Sequence, residues 1–501
     1  MNSLFGAKEP QPTYVAEEAR KPLGRKEVAA GFFWNQATSI AAKLLFPILQ
    51  IFFYRRLGPD QIGIYAVLIP IYMICESLRD AGLALTYVAD RQGDGEREGQ
   101  YATLAMLNAV VFSAIIFLAR GSLVNLFHRP ELDWGLQMVA LAVLLTGFST
   151  IPANKLQKKA RFRDASVVDF TSSLLSLVGA FALVLCGFGY KALVWQFVMR
   201  SVFFTIGCWL IEPVRFAWVR MAVVSAVWKH AGHNLLNNVS FTVYTVADNL
   251  LVTKLFGMRA VGNYNAAYTF GMKPVDFFSS PLAKTLLIAY TRKSHDLEAL
   301  TNAFIRTIAL SILTMVPLYA LVGAFSGTLT VLLLSSKFQA AGPLLGILVL
   351  YCAFRSVGLL CGNVLVAMNK PVLNVYGWLC AYAVVAAILV LNRSHLDLTL
   401  VVEALTAGAV SVYSVTAFAA FSILRPKGEN ALKLWRASGL SVLSVLIACA
   451  ATWLPLRGLG DFAIGAAMVG LVQVLGVGLV YGHSLGACFS KRGLKLVSAA
   501  I

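Results

Sequence analysis

The chain has 501 residues, of which 58% are apolar and only 13% are charged, and its mean hydropathy is +0.73. A soluble globular domain is nearer half apolar and carries roughly 25% charged residues, so this composition excludes a soluble fold and predicts a polytopic membrane protein. The net charge of +18 does not indicate nucleic-acid binding, because the basic residues are spread over short loops between apolar runs instead of forming a stripe.

The apolar segments predict the number of membrane spans. Residues 1–27 form a polar, basic tail that is too poor in apolar residues to fold alone. Fourteen apolar segments follow, each of roughly 20 residues or more, which is enough to cross a ~30 Å hydrocarbon core. They cover approximately residues 28–54, 61–89, 100–119, 132–151, 166–186, 191–211, 229–256, 261–289, 300–325, 342–368, 371–391, 398–424, 434–454 and 462–485. We therefore predict an all-α protein with about 14 transmembrane helices.

These helices are predicted to form two parallel six-helix lobes around a central cavity. The N-terminal lobe covers residues 28–212, a cytoplasmic linker covers 213–228, and the C-terminal lobe covers 229–424. Residues 425–501 add two further transmembrane helices and a short cytoplasmic tail. With the N-terminus inside, the cytoplasmic loops hold more than twice as many Lys and Arg residues as the outer loops. Both termini are therefore predicted to be cytoplasmic, and an even number of spans per lobe makes the repeats parallel.

A repeated turn supports the two-lobe prediction. The stretches LGPDQIGIY and FGMRAVGNY share two glycines and a tyrosine at a constant spacing of 199 residues, so that Gly58, Gly63 and Tyr65 recur as Gly257, Gly262 and Tyr264. The first glycine permits a tight turn, and the second lets two helices approach closely.

Ionisable residues inside the predicted spans are the candidate site residues, since such groups are costly at membrane depth unless they face a wet cavity or a partner. The cations, which we expect to give the cavity a basic excess and to bind an anionic substrate, are Lys43, Arg79, Arg200, Lys273, Lys284 and Arg355. The acids, which are candidates for ion coupling or for lining the cavity, are Glu76, Asp80, Asp248 and Asp276.

An alternative is that some of these charges pair inside the helix bundle, Glu76 with Arg79 and Lys273 with Asp276. Lys43, Arg200 and Arg355 have no acid nearby in the sequence and are the stronger candidates for contacting an anion. The basic run KLQKKARFRD, residues Lys155 to Asp164, is predicted to be a loop lying on anionic headgroups, with substrate gathering as the alternative.

Several motifs that would indicate an enzyme are missing from the sequence. It contains no GxxxxGK[ST] phosphate-binding loop, and no loop between spans is long enough to hold a catalytic domain. His230 and His233 have no further ligand types nearby, so no metal site is predicted. We expect a transport protein that is not an enzyme and needs no cofactor.

Five stretches resemble the polysaccharide-transporter branch of the multidrug/oligosaccharidyl-lipid/polysaccharide exporter superfamily, the bacterial lipid-linked oligosaccharide flippases. They are RRLGPDQIGIYAV (Arg55 to Val67), SLRDAGL (Ser77 to Leu83), KLQKKARFRD (Lys155 to Asp164), GFGYKALV (Gly187 to Val194) and DNLLVTKLFGMRAVGNYNAAYTFG (Asp248 to Gly271). The similarity extends over roughly Val28 to Leu424 and does not identify the substrate.

The resemblance implies a flippase that carries undecaprenyl-diphosphate-linked repeat units of exopolysaccharide, capsule or O-antigen across the bacterial inner membrane by alternating access. Its implied partners are the lipid-linked oligosaccharide, the bilayer, and a polysaccharide polymerase with its export machinery. Two alternatives remain open, a cation-coupled multidrug exporter of the same fold and a non-transporting scaffold in a synthesis complex. An exporter of cationic drugs would favour an acidic, apolar cavity, whereas the charges within the spans are mostly basic.

Overall fold

A computed structural model describes residues 45–472 except residues 81, 91–94, 160, 371, 427, 453–459 and 461. The predicted N-terminal tail, the first part of the first span, and everything after residue 472 therefore lie outside the described residues. The described part of the chain is helical, with short connections and no β-strand.

The helices of the first half are α1 (described over residues 45–57), α2 (Pro59–Asp80), α3 (Leu83–Ala89), α4 (Gly95–Phe127), α5 (Glu131–Lys158), α6 (Phe162–Leu185), α7 (Tyr190–Ile211) and α8 (Met221–Pro274). The second half continues with a π-helical turn (Val275–Ser279), α9 (Ser280–Lys293), α10 (Leu297–Ala324), α11 (Ser326–Leu334), a 3-10 turn (Ser336–Phe338), α12 (Ala341–Ala367), α13 (Val372–Leu391), α14 (Leu398–Leu424), α15 (Glu429–Ala451) and α16 (Phe462–Val472).

Ten of the described helices are long and apolar enough to cross a membrane, namely α2, α4 to α7, α10 and α12 to α15. The prediction of an all-α, multi-pass membrane protein is therefore confirmed. The count of fourteen spans and the arrangement in lobes stay predictions.

Glycine and proline account for two places where the helices differ from the predicted spans. The predicted span 61–89 is interrupted between α2 and α3, where Gly82 has a φ of 74°. Helix α8 consists of two helical segments that meet at a break at Gly257 (φ 81°), which separates the predicted spans 229–256 and 261–289, and the second of these spans contains the π-helical turn that follows Pro274. Left-handed φ values interrupt a regular helix, and proline removes one backbone donor.

The connection after α7 is shorter than the predicted linker. Residues 213–220 are not helical, and α8 begins at Met221. Val223 and Val227 on its first turns are buried against Tyr87 and Tyr101. The burial of these apolar side chains explains why the helix begins at Met221, before the start of the predicted span at residue 229.

The chain packs as two compact units. Unit 1 contains the described residues up to Leu49 and Ile71–Val243, and unit 2 contains Gln50–Pro70 and the described residues from Tyr244 onward. The division differs from the predicted lobes because residues 50–70 pack with the second half of the chain. Bounds of the lobes as functional domains remain a prediction.

A reciprocal glycine crossing explains why residues 50–70 belong to unit 2. A Cβ on Gly63 would lie 1.9 Å from the carbonyl oxygen of Met258, and a Cβ on Gly262 would lie 1.9 Å from that of Pro59. Pro59 and Met258 are themselves separated by the 199-residue repeat spacing. Gly58 and Gly257, one residue earlier in each copy, have nearly the same φ, 79° and 81°. The repeated motif thus makes the same contact twice, each copy against the other.

Polar contacts reinforce this crossing inside unit 2. The Tyr54 hydroxyl donates to Oδ1 of Asn265 at 2.7 Å, and Tyr54 is only 3% exposed. Arg55 donates to the carbonyl oxygens of Leu332 and Leu333, where α11 ends. These bonds satisfy carbonyl groups that a helix C-terminus leaves without intrahelical donors.

The crossing predicts a marked sensitivity to one added methyl group. We expect Gly63→Ala and Gly262→Ala each to lower the stability of the protein by about 1–3 kcal/mol, because the new Cβ overlaps a carbonyl oxygen and the backbones must separate. The measurement is the thermal unfolding midpoint in detergent.

Gly121→Ala in α4 is the matched control, since a Cβ there would meet nothing within 4 Å. Alanine is the better helix former, so this variant should be as stable as the parent or slightly more stable. Equal midpoints for Gly63→Ala and Gly121→Ala would contradict the close crossing.

Candidate functional site

A polar pocket of about 340 Å³ lies within unit 1, between the C-terminal parts of α2 and α5 and the middle of α7. Its lining residues are Tyr72, Glu76, Arg79, Asp80, Thr146, Ser149, Thr150, Ala153, Asn154, Arg200, Ser201 and Phe204. The i, i+3 and i+4 positions of a helix are neighbours, so the lining residues of each helix share one face. On α2 these are residues 76, 79 and 80, and on α5 they are residues 146, 149, 150, 153 and 154. Four of the predicted site residues, Glu76, Arg79, Asp80 and Arg200, are thereby brought together.

Arg79 and Glu76, which both line this pocket, form an ion pair. Nη2 of Arg79 donates to Oε2 of Glu76 at 2.8 Å, and Nη1 donates to the Thr150 hydroxyl at 2.7 Å. Thr146 donates to the other carboxylate oxygen of Glu76. Arg79 is 6% exposed, and its Nε is buried without a hydrogen-bond partner in the described part of the chain. The pairing of Glu76 with Arg79, which the sequence analysis gave as an alternative, is therefore present, and each of the two charges compensates the other.

Arg200 has an acidic partner that sequence reasoning missed. Its Nη2 donates to Oδ1 of Asp169 at 2.9 Å, and its Nε donates to the Ser173 hydroxyl at 3.2 Å. Both partners lie on α6, so only the packing of α6 against α7 brings them to Arg200. The side chain is half exposed, which leaves part of the guanidinium accessible from the pocket.

Asp80 is held at the end of α2 by the glycine break. Its Oδ1 accepts a hydrogen bond from the backbone NH of Ala84 at 3.3 Å, across the turn at Gly82. A carboxylate can accept about four hydrogen bonds, so Asp80 retains acceptor positions toward the pocket. The pocket as a whole is lined by two carboxylates and two guanidinium groups, and its formal charge is balanced.

Unit 2 contains a second polar cluster, built from tyrosines around Asp248. Asp248 is buried, its Oδ2 accepts from the Tyr264 hydroxyl at 2.5 Å, and its Oδ1 accepts from the backbone NH of Asn249 at 2.8 Å. Tyr264 stacks on Tyr268 with 6.1 Å between ring centroids. The repeated tyrosine, Tyr264, thus acts as the hydrogen-bond donor to a buried carboxylate.

Arg355 lies at the other end of this tyrosine cluster. Its Nη1 donates to the Tyr351 hydroxyl at 2.8 Å and lies 3.5 Å from the Tyr268 hydroxyl. Its Nε is buried with no partner among the described residues, and none of their carboxylates forms an ion pair with it. Arg355 therefore carries a charge that neutral tyrosine hydroxyls solvate but do not neutralise.

None of the remaining predicted site residues that the structure describes lines the pocket of unit 1. Lys273 is half-buried near the end of α8, whereas Asp276 in the π-helical turn and Lys284 in α9 are exposed. Lys43 lies outside the described residues. For these four positions a role at a site stays a prediction.

The basic run from Lys155 to Asp164 lies between α5 and α6 and forms ion pairs with acids on other elements of unit 1. Helix α5 continues to Lys158 and α6 begins at Phe162, so most of this segment is helical where the sequence predicted a loop. Lys155 pairs with Glu98 at 2.7 Å, and Lys159 and Arg161 each pair with Glu212 at 2.9 Å. Much of the positive charge expected to face headgroups is thus used within unit 1.

Glu98 and Glu212 were not recognised as important in the sequence, because each lies at the edge of an apolar span and far along the chain from its partners. Glu212 directly follows α7, and the connection that begins there is hydrogen-bonded and ion-paired to α4. Thr103 donates to the Ala217 carbonyl at 2.8 Å, and Arg220 pairs with Glu96 at 2.7 Å. The connection between the halves of the chain is therefore fixed along unit 1.

The sequence model for a family described as polysaccharide biosynthesis proteins matches residues 53–343. Among curated proteins, the succinoglycan biosynthesis transport protein ExoT of Rhizobium meliloti is 22% identical over 301 residues, which cover 59% of this chain. The chain matches 60% of the length of that relative, which is less than two thirds.

Two solved structures share the fold of this chain. The lipid II flippase MurJ superposes with a TM-score of 0.71 at 11% identity, over 91% of this chain and 99% of that one. An inward-facing multidrug resistance transporter of the MATE family superposes with a TM-score of 0.63 at 12% identity, over 78% of this chain and 98% of that one. At these identities the likeness establishes the fold alone. The superposed part of the chain includes far more than the residues that line the pocket.

The Glu212 ion pairs predict a pH-dependent contribution to stability. Burial by itself raises the pKa of the Glu212 carboxyl, but hydrogen bonds from Lys159 and Arg161 and the charge of Lys155 outweigh it and hold the pKa below its usual value of 4.5. A carboxyl with a depressed pKa stabilises the fold fully above that usual value, and the stabilisation is lost as the pH falls through the lowered pKa.

We therefore expect Glu212→Gln to destabilise the protein at neutral pH by about 1–3 kcal/mol. Below pH 4.5 the gap between the thermal unfolding midpoints of the parent and the variant should narrow. Glu131→Gln, at the exposed start of α5, is the control. A gap that is constant from neutral to acid pH would show that the Glu212 charge does not stabilise unit 1.

Proposed function

Because this chain belongs to the polysaccharide biosynthesis protein family, we propose that it is a flippase for lipid-linked oligosaccharides. It moves undecaprenyl-diphosphate-linked repeat units of an exopolysaccharide, a capsule or an O-antigen across the bacterial inner membrane by alternating access. The observation that carries the proposal is the polar pocket among α2, α5 and α7. Ionised groups inside membrane-spanning helices are costly unless they serve a pathway, and here four of them line one cavity.

The physical problem for such a substrate is its headgroup. A diphosphate bearing sugars cannot cross hydrocarbon unaided, because its charges and hydroxyls would lose their hydration. Protein groups that replace water along the path lower that barrier. Movement of the anion outward is also favoured by an inside-negative potential, at about 2.3 kcal/mol per charge per 100 mV.

Arg355 is the described cation best suited to meet the diphosphate. It has no carboxylate partner among the described residues, and its neighbours are tyrosine hydroxyls that can also donate to phosphate oxygens. We place Lys43, Lys273 and Lys284 along the same path as further cations. Arg79 and Arg200, whose charges are paired with carboxylates, contact the substrate at the pocket of unit 1, away from its diphosphate. Glu76, Asp80, Asp248 and Asp276 are the candidates for coupling transport to protons or sodium.

The orientation and the partners belong to the same proposal. Both termini lie in the cytoplasm, so the basic C-terminal end of α5 and the basic start of α6 face the leaflet on which the substrate is made. A polymerase and export machinery take up the flipped repeat unit on the outer side. The protein itself performs no covalent chemistry.

The competing function is a cation-coupled multidrug exporter, for which the fold of the MATE transporter is the supporting observation. The MurJ fold superposes better and over more of the chain. The family match to polysaccharide biosynthesis proteins also favours the flippase.

Deletion of the gene separates these functions. We expect lipid-linked repeat units to accumulate on the cytoplasmic leaflet, with export restored by a plasmid copy. The measurement is the leaflet distribution of lipid-linked oligosaccharide, assayed by accessibility to an impermeant periodate or lectin probe. A normal distribution together with raised drug susceptibility would instead support the exporter.

Replacement of Arg355 tests the proposed diphosphate contact. We expect Arg355→Gln to reduce export at least about tenfold, because a charge-assisted hydrogen bond to phosphate is lost, and Arg355→Lys to retain part of it. Export per membrane-inserted protein is compared with that of Arg393→Gln, an exposed arginine in the turn after α13. Full export by Arg355→Gln would remove this residue from the substrate path.

A further inference from the structure

The pocket of unit 1 lacks the excess of positive charge that a diphosphate site needs. Arg79 is paired with Glu76 at 2.8 Å, and Arg200 is paired with Asp169 at 2.9 Å. Asp80 adds a second carboxylate to the lining. A phosphate group brought here would meet cations whose charge is already used and an acid that repels it. The pocket is therefore better suited to an uncharged ligand.

Its polar groups nevertheless offer many hydrogen bonds. The carboxylates of Glu76 and Asp80 can accept from hydroxyls, and the half-exposed guanidinium of Arg200 can donate to them. Asn154 donates to the Thr150 carbonyl at 2.7 Å, which fixes its amide with the side-chain oxygen as a further acceptor. A ligand that fits this set must both donate and accept at several neighbouring atoms, as the hydroxyl groups of a sugar ring do.

Two aromatic side chains supply the apolar part of the wall. Tyr72 and Phe204 both line the pocket, and Tyr72 is held by stacking on Phe197 with 5.0 Å between ring centroids. The C–H faces of a sugar ring are apolar, so an aromatic wall beside fixed polar groups matches such a ligand. A volume of about 340 Å³ admits a small part of an oligosaccharide and not a whole repeat unit.

We propose that this pocket is a subsite for a neutral, hydroxyl-rich sugar residue of the substrate, separate from the cations that bind the diphosphate. The proposal rests on the proposed function for the identity of the substrate. In it Asp80 and Arg200 recognise sugar hydroxyls, and the balanced charge disfavours uronic acids and other anionic sugars at this position.

A thiol-protection experiment tests the subsite without requiring transport. Ala153→Cys places a reactive thiol on the pocket wall of the full-length protein. Its labelling by a small maleimide is followed by peptide mass spectrometry, so that native cysteines do not interfere. The neutral methyl glycosides of glucose, galactose and N-acetylglucosamine should slow the labelling, and methyl glucuronide at equal concentration should slow it much less. Equal protection by the glucuronide, or none by any neutral glycoside up to its solubility limit, would overturn the proposal.

A second experiment separates sugar recognition from phosphate recognition. Binding of short-chain prenyl diphosphates, either free or bearing one of the same neutral sugars, is measured with the purified full-length protein. We expect Asp80→Asn and Arg200→Gln to weaken binding of the best sugar-bearing carrier about tenfold and to leave the sugar-free carrier unchanged. Asp133→Asn, on the exposed start of α5 and outside the pocket, is the matched control.

The outcomes distinguish this proposal from the proposed function. If both variants weaken the sugar-free carrier as much as the sugar-bearing one, the residues recognise phosphate and the subsite proposal is wrong, while the flippase proposal stands. If the parent binds no prenyl diphosphate but neutral glycosides still protect the thiol, the subsite stands and the lipid-linked substrate does not. Weakening confined to the sugar-bearing carrier supports both.

Discussion

The contact on which unit 2 depends is the crossing of two helices at a pair of glycines. At Gly63 and Gly262 the neighbouring backbone comes so close that any side chain would overlap a carbonyl oxygen. Close approach of this kind replaces the hydrophobic driving force that helices lack inside a membrane, because packing and weak polar contacts are what hold them there. The left-handed turns at Gly58 and Gly257 set the direction of each helix just before the crossing. The hydrogen bond between Tyr54 and Asn265, and the capping of α11 by Arg55, depend on that geometry.

The two units treat buried charge in different ways. In unit 1 the guanidinium groups of Arg79 and Arg200 have carboxylate partners, and the pocket that they line carries no excess positive charge. In unit 2 the charges of Asp248 and Arg355 are separated by tyrosines that hydrogen-bond to each of them. A compensated pocket suits recognition of polar, uncharged groups, whereas an uncompensated cation attracts an anion. A substrate with a sugar part and a diphosphate part can bind the compensated pocket with its sugar and the uncompensated cation with its diphosphate.

The sequence was sufficient to predict features that depend on local composition and spacing. Apolar length located α4 to α7, although α4 and α5 extend further than predicted, to Phe127 and Lys158. The repeated glycines predicted the turns at Gly58 and Gly257, where φ is positive. The i, i+3, i+4 spacing of Glu76, Arg79 and Asp80 in the sequence is enough to place them on one face of a helix. Partnerships between distant segments were not predictable, because nothing in the order of residues links Arg200 to Asp169 or Glu212 to Arg161. The helix break at Gly82 was also missed, since one glycine inside an apolar run is common in membrane helices.

The reciprocity of the glycine contact has a consequence for how a chain with two such halves arises. When residue 63 lies on residue 258 and residue 262 lies on residue 59, each copy presents the same surface to the other. Two separate chains of half this length, related by a twofold axis, would meet in the same way and form an isologous dimer. Joining them in tandem turns an association between subunits into an internal contact and removes the entropy cost of bringing two molecules together. After such a fusion the copies are free to diverge at every position except those where each constrains its counterpart.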